Sequence, residues 1–367
     1  MKMVKLPEYM GKEIFRKYGI PTPEGKVIRK GDCIEGIKVP ACVKAQVLAG
    51  KRGKSGAVKF ANSKEELELA IAEILTMKIN GMQVDAVLVE DKLSILKEYY
   101  LSITLDRDHR CAVLLASASG GMDIEEVPDT EIARIHIHPF VGIQPYMIKE
   151  VVSKLGIEKE LGKSLGNIIR QMYEIFKQED AELVEINPLA DVGGTLIAAD
   201  AKVIIEDDAL FRHPEYKSVP QELTPLEKKA KEKDISFIQL DGNIGIIANG
   251  AGLTMATLDA ITYYGGKPAV FLDLGGTDDV EKVKEAFKIV LEVKPKSLLV
   301  NIFGGVTKCD TVAKGIVEVL GANPDIKIAA RIKGFNEEEA KEIFRKAGIM
   351  GVSSLDEAAR FVCEGGA

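Results

Sequence analysis

Two stretches of the chain place charged and polar side chains where they could handle a phosphate and a cation. The first is Lys44-Ala-Gln-Val-Leu-Ala-Gly50-Lys51-Arg52-Gly53-Lys54-Ser-Gly56, with four cations and three glycines following an apolar strand. Glycine lets the backbone approach phosphate oxygens closely, and Arg52 can offer them paired donors. No Gly-x-x-x-x-Gly-Lys-Ser/Thr pattern precedes a helix, so this is not a Walker A loop. The residues alone fit either an anion cradle or a basic hairpin tip. The second stretch is Glu185-Ile-Asn187-Pro188 facing Asp200-Ala-Lys202 across a hairpin. Strand alternation puts Glu185 and Asn187 on one face, and Asp200 can join them from the partner strand. Oxygen donors from an Asn and an Asp, completed by water and phosphate, suit Mg²⁺. A polar hairpin face is the plainer alternative. Pro188 demands a strand end or edge, which is compatible with a cleft mouth.

Two further loops lead from apolar strands through glycines into helices: Asn249-Gly-Ala-Gly252 and Asn301-Ile-Phe-Gly304-Gly305-Val306-Thr307. Backbone N–H groups at such turns can face an anion, although glycine-rich turns are also ordinary topology in α/β sheets. Nucleophiles are scarce. There is no Gly-x-Ser-x-Gly elbow. The four histidines, His109, His136, His138 and His213, lie outside the glycine-rich loops and outside metal-ligand spacings, so structural or surface roles are expected for them.

The elements that position these residues read as two different architectures. A first helix spans Glu8 to Tyr18, with Met10, Ile14 and Tyr18 as its apolar stripe, Gly19 as its cap, and Pro21 and Pro23 beyond it. Strand-like runs follow at Gly25–Ile28, Ala41–Gln46, Ala57–Phe60 and Val84–Glu90, with a helix between the last two that is capped by Ser63 and Glu66. Glu98–Asp106 turns through Arg107–Arg110 into Cys111–Ser117. A long amphipathic helix covers about 157–177, and Leu183–Ile186 and Thr195–Ala201 join across Gly193-Gly194. This half is α+β. Residues 206–236, with Pro214, Pro220, Pro225 and a charged run, read as a linker. From about 237, five strands (Gly245–Ala248, Ala269–Asp273, Ser297–Ile302, Ile326–Ala330, Ile349–Val352) alternate with helices at about 252–264, 279–293, 308–319, 337–347 and 355–363. Thr307/Asp310 and Asn336/Glu339 stand at capping-box spacing. That alternation predicts a doubly wound parallel sheet, which binds ligands beyond the carboxyl ends of its strands. The fold class is therefore α/β with an α+β N-terminal part, divided into 1–236 and 237–367.

Composition narrows the function classes. The 367 residues carry a net charge of −7, which argues against nucleic acid as a partner. Residues 1–60 hold 14 Lys/Arg against 5 Asp/Glu, so a polyanionic ligand would go there, unless the excess is simply a solvated face. No apolar run reaches the roughly 18 residues a membrane helix needs, and the N-terminus lacks an apolar signal segment. The five cysteines are scattered with no C-x-x-C, so buried inert thiols in a reducing, cytoplasmic setting are expected.

Taken in order, these segments resemble the β subunits of succinate–CoA ligases (ADP-forming succinyl-CoA synthetases). The resemblance runs from Pro7-Glu8-Tyr9 to the last helix. It is carried most specifically by Gln46–Gly56, Leu88-Val-Glu90, Lys97-Glu98, Glu185-Ile-Asn187-Pro188-Leu189, Leu240-Asp-Gly-Asn-Ile-Gly245, Asn249-Gly-Ala-Gly252 and Leu299-Val-Asn301-Ile-Phe-Gly-Gly305. It implies an ATP-grasp fold followed by a flavodoxin-like CoA-ligase domain. It also implies an α-subunit partner that carries the phosphorylated histidine and most of the CoA site. Residues matching Lys44, Lys51, Arg52 and Gly53 hold nucleotide phosphates in that family, and those matching Glu90, Leu93 and Glu98 line the nucleotide site. Those matching Asn187 and Asp200 bind Mg²⁺, and the one matching Glu185 assists the phosphohistidine. Asn249, Gly305, Val306 and Thr307 match the carboxylate and phosphohistidine docking site. The implied activity is ATP-dependent phosphorylation of the partner histidine, followed by activation of succinate and thioester formation with CoA, as in the tricarboxylic acid cycle. Some residues depart from the family pattern: Pro7 stands at a frequent histidine position, Leu48 likewise, Lys51 at a glycine, and Ser119-Gly120-Gly121 at Glu-Gly-Gly.

Overall fold

The computed structural model describes residues 3–48, 56–79, 82–221, 223–321 and 326–364. The chain forms two compact units, Met1–Gln221 and Glu222–Ala367. The division falls before the expected boundary at 236/237, because the presumed linker folds onto both sides. Tyr216 is buried in the first unit and donates its hydroxyl to Glu179 at 2.7 Å. Thr224 and Glu227 make a reciprocal capping box on the helix Pro225–Glu232, which buries Ala230 in the second unit's core.

The first unit is built on two antiparallel sheets. The larger has the order Met3–Lys5, Lys202–Glu206, Ala181–Val192, Lys97–Asp106, Cys111–Ser117, Ile132–Ile137, and Thr195–Ala198 pairs with the end of Ala181–Val192. Helices Glu8–Lys17, Pro145–Lys154 and Lys159–Gln178 cover it, with Phe15, Leu101, Ile103, Leu114 and Met172 in the core. The smaller has the order Gly25–Arg29, Ala86–Asp91, Ala41–Ala45, Val58–Ala61, packed against the helix Lys64–Thr76 through Leu67, Ile71 and Ile74. Ser63 caps that helix as expected, but the Glu66 carboxylate reaches back to Asn62 N instead of Ser63 N. The first helix turns a different face inward from the one its apolar stripe implied: Glu8, Gly11 and Lys12 are buried with Ile14 and Phe15, while Met10 and Tyr18 are only partly covered.

The second unit is a six-stranded sheet in the order Ser236–Gln239, Val270–Asp273, Ile244–Ala248, Ser297–Gly304, Lys327–Gly334, Met350–Val352. The last five strands are parallel, in the 2-1-3-4-5 order of flavodoxin-like folds. Ser236–Gln239 is an antiparallel edge strand that the periodicity did not reveal; only Phe237 of its four residues is buried. Two expected caps do not form. Lys308 occupies the N-cap position before the helix Cys309–Leu320, because the Thr307 hydroxyl is engaged elsewhere. Asn336 adopts a left-handed φ of 59°, and its amide donates to Asp310 Oδ1 at 2.8 Å. All five cysteines are free; Cys42 and Cys309 are buried and Cys111 and Cys363 half-buried, while Cys33 is exposed, contrary to the expectation of burial, because it lies in the surface connection after Gly25–Arg29. No helix among the described residues is long and apolar enough to cross a membrane.

Candidate functional sites

In the first unit the two sheets enclose a cleft of about 770 Å³. It is lined by Lys44, Glu90, Leu93, Glu98, Glu185, Asn187 and Asp200, so seven of the expected site residues meet in one place. Lys51, Arg52 and Gly53 lie outside the described residues. The small sheet supplies Lys44 and Glu90: strands Ala41–Ala45 and Ala86–Asp91 are paired, with Cys42 opposite Glu90. The large sheet supplies Glu98, Glu185 and Asn187, and its register sets Glu185 directly against Lys202 and Ser102. Leu93 stands in the connection between the sheets, and Asp200 in the bend before the strand Lys202–Glu206.

Beneath the cleft lies a buried cluster of charges that sequence reasoning missed. Lys12 is fully buried, and its Nζ lies 2.8 Å from Glu8 Oε1, 2.6 Å from Glu90 Oε1 and 2.8 Å from the Ala199 carbonyl. Lys44 Nζ shares the same partners, at 2.8 Å from Glu8 Oε1, 3.0 Å from Glu90 Oε2 and 2.5 Å from Ala199 O. Two cations thus offset two carboxylates, as buried charge requires. Burial opposes the charge on Lys44, but Glu8, Glu90 and Asp200 outweigh it and push its pKa up, so it remains an ammonium. Glu8 and Lys12 at i, i+4 look like a surface pair in the sequence, and only the tertiary contact with Glu90 reveals them.

The oxygen donors lie on the opposite wall. Glu185 accepts a hydrogen bond from Tyr100 Oη at 3.0 Å and stands 3.6 Å from Lys202 Nζ. Burial and then Glu185 raise the Tyr100 pKa, so the phenol stays a donor. Asn187 is oriented at both ends: Oδ1 accepts from Gly121 N at 2.8 Å and Nδ2 donates to Met122 O at 2.9 Å. Asp200 Oδ1 accepts from Ala201 N at 2.7 Å, fixing the carboxylate at the strand entry. Hard oxygens from an amide and carboxylates are the donor chemistry Mg²⁺ takes, so Asn187 and Asp200, with Glu185 beside them, fit that ion. The Ser119-Gly120-Gly121 loop is held tight to this wall, since a Cβ on Gly120 would fall 2.6 Å from the Tyr99 backbone.

The second unit presents a crevice of about 610 Å³ beyond the carboxyl ends of Ile244–Ala248 and Ser297–Gly304, the point where the strand order reverses. Asn249, Gly305, Val306 and Thr307 all line it, as the sequence led us to expect. The Asn249 side chain clamps the two loops, accepting from Phe303 N and donating to Phe303 O, both at 2.9 Å. The Thr307 hydroxyl donates to Gly275 O and accepts from Thr277 N, both at 3.0 Å, which ties in a third loop. Arg331 was not foreseen. It lines the crevice from the adjacent strand with Nη1 3.2 Å from Asn301 Oδ1, and its buried Nε has no hydrogen-bond partner among the described residues. An isolated arginine in a strand carries no sequence signal of this kind.

Comparison with known proteins agrees with both halves. A family profile for the ATP-grasp domain matches residues 5–191, and one for CoA-ligase matches residues 247–363. The chain is 46% identical to the β subunit of the ADP-forming succinate–CoA ligase of Desulfurococcus amylolyticus, over 97% of each chain. It is equally similar to the corresponding subunit of Ignicoccus hospitalis, at 46% identity over 97% of this chain and 98% of that one. The fold is that of the ATP citrate lyase of Methanothrix soehngenii solved with citrate and coenzyme A, with a TM-score of 0.69 at 20% identity over 95% of each chain. Full-length identity at this level, with an ATP-grasp unit followed by a CoA-ligase unit, shows that the chain belongs to the family of succinate–CoA ligase [ADP-forming] β subunits.

Proposed function

We propose that this chain, working in the cytoplasm with an α subunit, uses its two sites for the two halves of one reaction. In the first-unit cleft, ATP phosphorylates a histidine of the partner; at the second-unit crevice, that phosphohistidine activates succinate, which CoA then takes as a thioester. The observation that carries the reading is the meeting of Lys44, Glu185, Asn187 and Asp200 around one cleft. Lys44 holds a fixed positive charge toward nucleotide phosphates, and Lys51, Arg52 and Gly53, which follow it in the sequence, extend that role. Glu90, Leu93 and Glu98 shape the nucleotide pocket. Asn187 and Asp200 would hold Mg²⁺, which when bound neutralises phosphate charge. Glu185, held by Tyr100, accepts a hydrogen bond from the incoming imidazole and so fixes its tautomer. Phosphoryl transfer through a loose transition state needs chiefly such positioning and charge neutralisation.

In the crevice, Arg331 supplies an unspent donor for a carboxylate or phosphoryl oxygen. The backbone of Gly305, Val306 and Thr307, together with the first turn of the helix Ala251–Tyr263, offers further N–H groups. Asn249 sets the width of the opening. CoA is bound mostly by the partner.

The test separates the half-reactions in the αβ complex, with labelled ATP reporting histidine phosphorylation and thioester formation measured alongside. Asp200→Ala is expected to reduce labelling at least about tenfold to a hundredfold through loss of a cation ligand. Gly305→Val is expected to spare labelling and block thioester formation. A Cβ at Gly305, which lines the crevice, meets nothing within 4 Å, so the substitution is accommodated there without disturbing the fold. Equal loss of both half-reactions in Gly305→Val, or unchanged labelling in Asp200→Ala, rejects the assignment.

A further inference from the structure

Three side chains that the reaction does not use converge elsewhere on the first unit, and none of them lines the cleft. Asp106 ends the strand Lys97–Asp106, and His109 stands in the turn that follows. His136 belongs to the strand Ile132–Ile137, two strands away in the same sheet. Register brings it across: Val113 pairs with both Thr104 and His136, and Thr104 and Asp106 share one sheet face. His109 Nδ1 and His136 Nε2 each lie 2.9 Å from the same oxygen, Asp106 Oδ2. The two rings are 4.2 Å apart at 35°. The other oxygen, Oδ1, accepts from His109 N at 3.0 Å, which fixes the carboxylate's orientation.

We propose that Asp106, His109 and His136 form a binding site for a borderline divalent transition cation, Zn²⁺ foremost, that clips the 107–110 turn to the strand Ile132–Ile137. One donor nitrogen from each imidazole and a carboxylate oxygen all lie within 4.8 Å of one another. Small rotations would bring them to the roughly 2.0–2.2 Å that Zn²⁺ takes to nitrogen and carboxylate oxygen. Two imidazoles and one carboxylate select such an ion over Mg²⁺, which favours the oxygen-only donors of the cleft. Asp106 is anionic at neutral pH, since the His109 backbone N–H and the His136 imidazole hold its carboxyl well below the usual range. Its side chain is 16% exposed, against 36% for His136 and 63% for His109, so water can reach the fourth position. Arg107 in the same turn is directed to Glu182, at 3.2 Å.

The experiment titrates Zn²⁺ into the full-length chain against a chromophoric chelator, with millimolar Mg²⁺ present to occupy oxygen sites. One tight Zn²⁺ per chain is expected. Affinity should fall at least about tenfold in His136→Ala and further in the His109→Ala/His136→Ala double variant. Because the chain has four histidines, imidazole ¹⁵N spectra give an independent reading. Zn²⁺ should shift Nδ1 of His109 and Nε2 of His136 and leave His138 and His213 unchanged. Parent protein that takes up no Zn²⁺, or a double variant that binds it as tightly as the parent, overturns the proposal.

Discussion

Lys12 is the residue on which the first-unit cleft rests, although it does not line it. Its ammonium is completely buried and touches both carboxylates that also pair with Lys44. Replacing it by Met keeps the length of the side chain and removes the charge, leaving Glu8 and Glu90 with one cation between them. Uncompensated buried charge of this kind costs about 3–5 kcal/mol. Lys12→Met is therefore expected to lower the denaturant midpoint of the first unit and to weaken ATP-dependent labelling of the partner. Adding Glu8→Gln should recover part of the stability, because it restores the balance of charge. Full stability in Lys12→Met would remove the argument. Residues that line a cleft and residues that support them leave different traces in a sequence. Lys44, Asn187 and Asp200 stand beside glycines, a proline and strand ends, whereas Lys12 stands inside an unremarkable helix. Arg331 is hidden for the same reason, since its role depends on Asn301 from the neighbouring strand.

Among the elements, the parallel strands Ser297–Gly304 and Lys327–Gly334 stay in register to their last residues, Gly304 opposite Gly334. Gly334 has φ +108°, and a Cβ there would stand 2.2 Å from Gly304 O. Gly334→Ala is expected to cost at least about 1–3 kcal/mol from backbone strain. It should also displace Gly304 and with it the crevice loop, lowering thioester formation more than histidine labelling. Equal effects on the two half-reactions would count against a role for this strand end in shaping the crevice. The strands and helices of the second unit could be read from the sequence because buried parallel strands are continuous apolar runs. The edge strand Ser236–Gln239 escaped, having one inward residue. The caps expected at Thr307 and Asn336 do not form because both side chains are committed elsewhere, which spacing along the chain does not encode.

At the scale of the whole chain, most buried apolar residues among the described ones fall into separate cores, two in Met1–Gln221 and one in Glu222–Ala367. Phe287 is fully buried in the last of these. Truncating it to Ala should cost about 3–5 kcal/mol. Chains with separate cores need not unfold in one step. Calorimetry of Phe287→Ala is expected to show one transition lowered and the other unmoved, with histidine labelling by ATP retained below the first. A single transition that shifts as a whole would show that the cores melt together. The excess of cations over residues 1–60 belongs to this scale too: part of it is consumed internally, by Lys12 and Lys44 against Glu8 and Glu90, and does not act as an external field.

The side-chain amide of Asn187 admits only one orientation. Turned end for end, it would set N–H against the N–H of Gly121 and carbonyl against the carbonyl of Met122. Aspartate would be the stronger ligand for a doubly charged ion, yet its second oxygen would repel Met122 O. The position thus asks for a group that is acceptor on one side and donor on the other, and the two separate atoms of an amide answer both at once. Neutrality at this point is a matter of fit to the neighbouring peptide units, and the negative charge on this wall is left to Glu185 and Asp200.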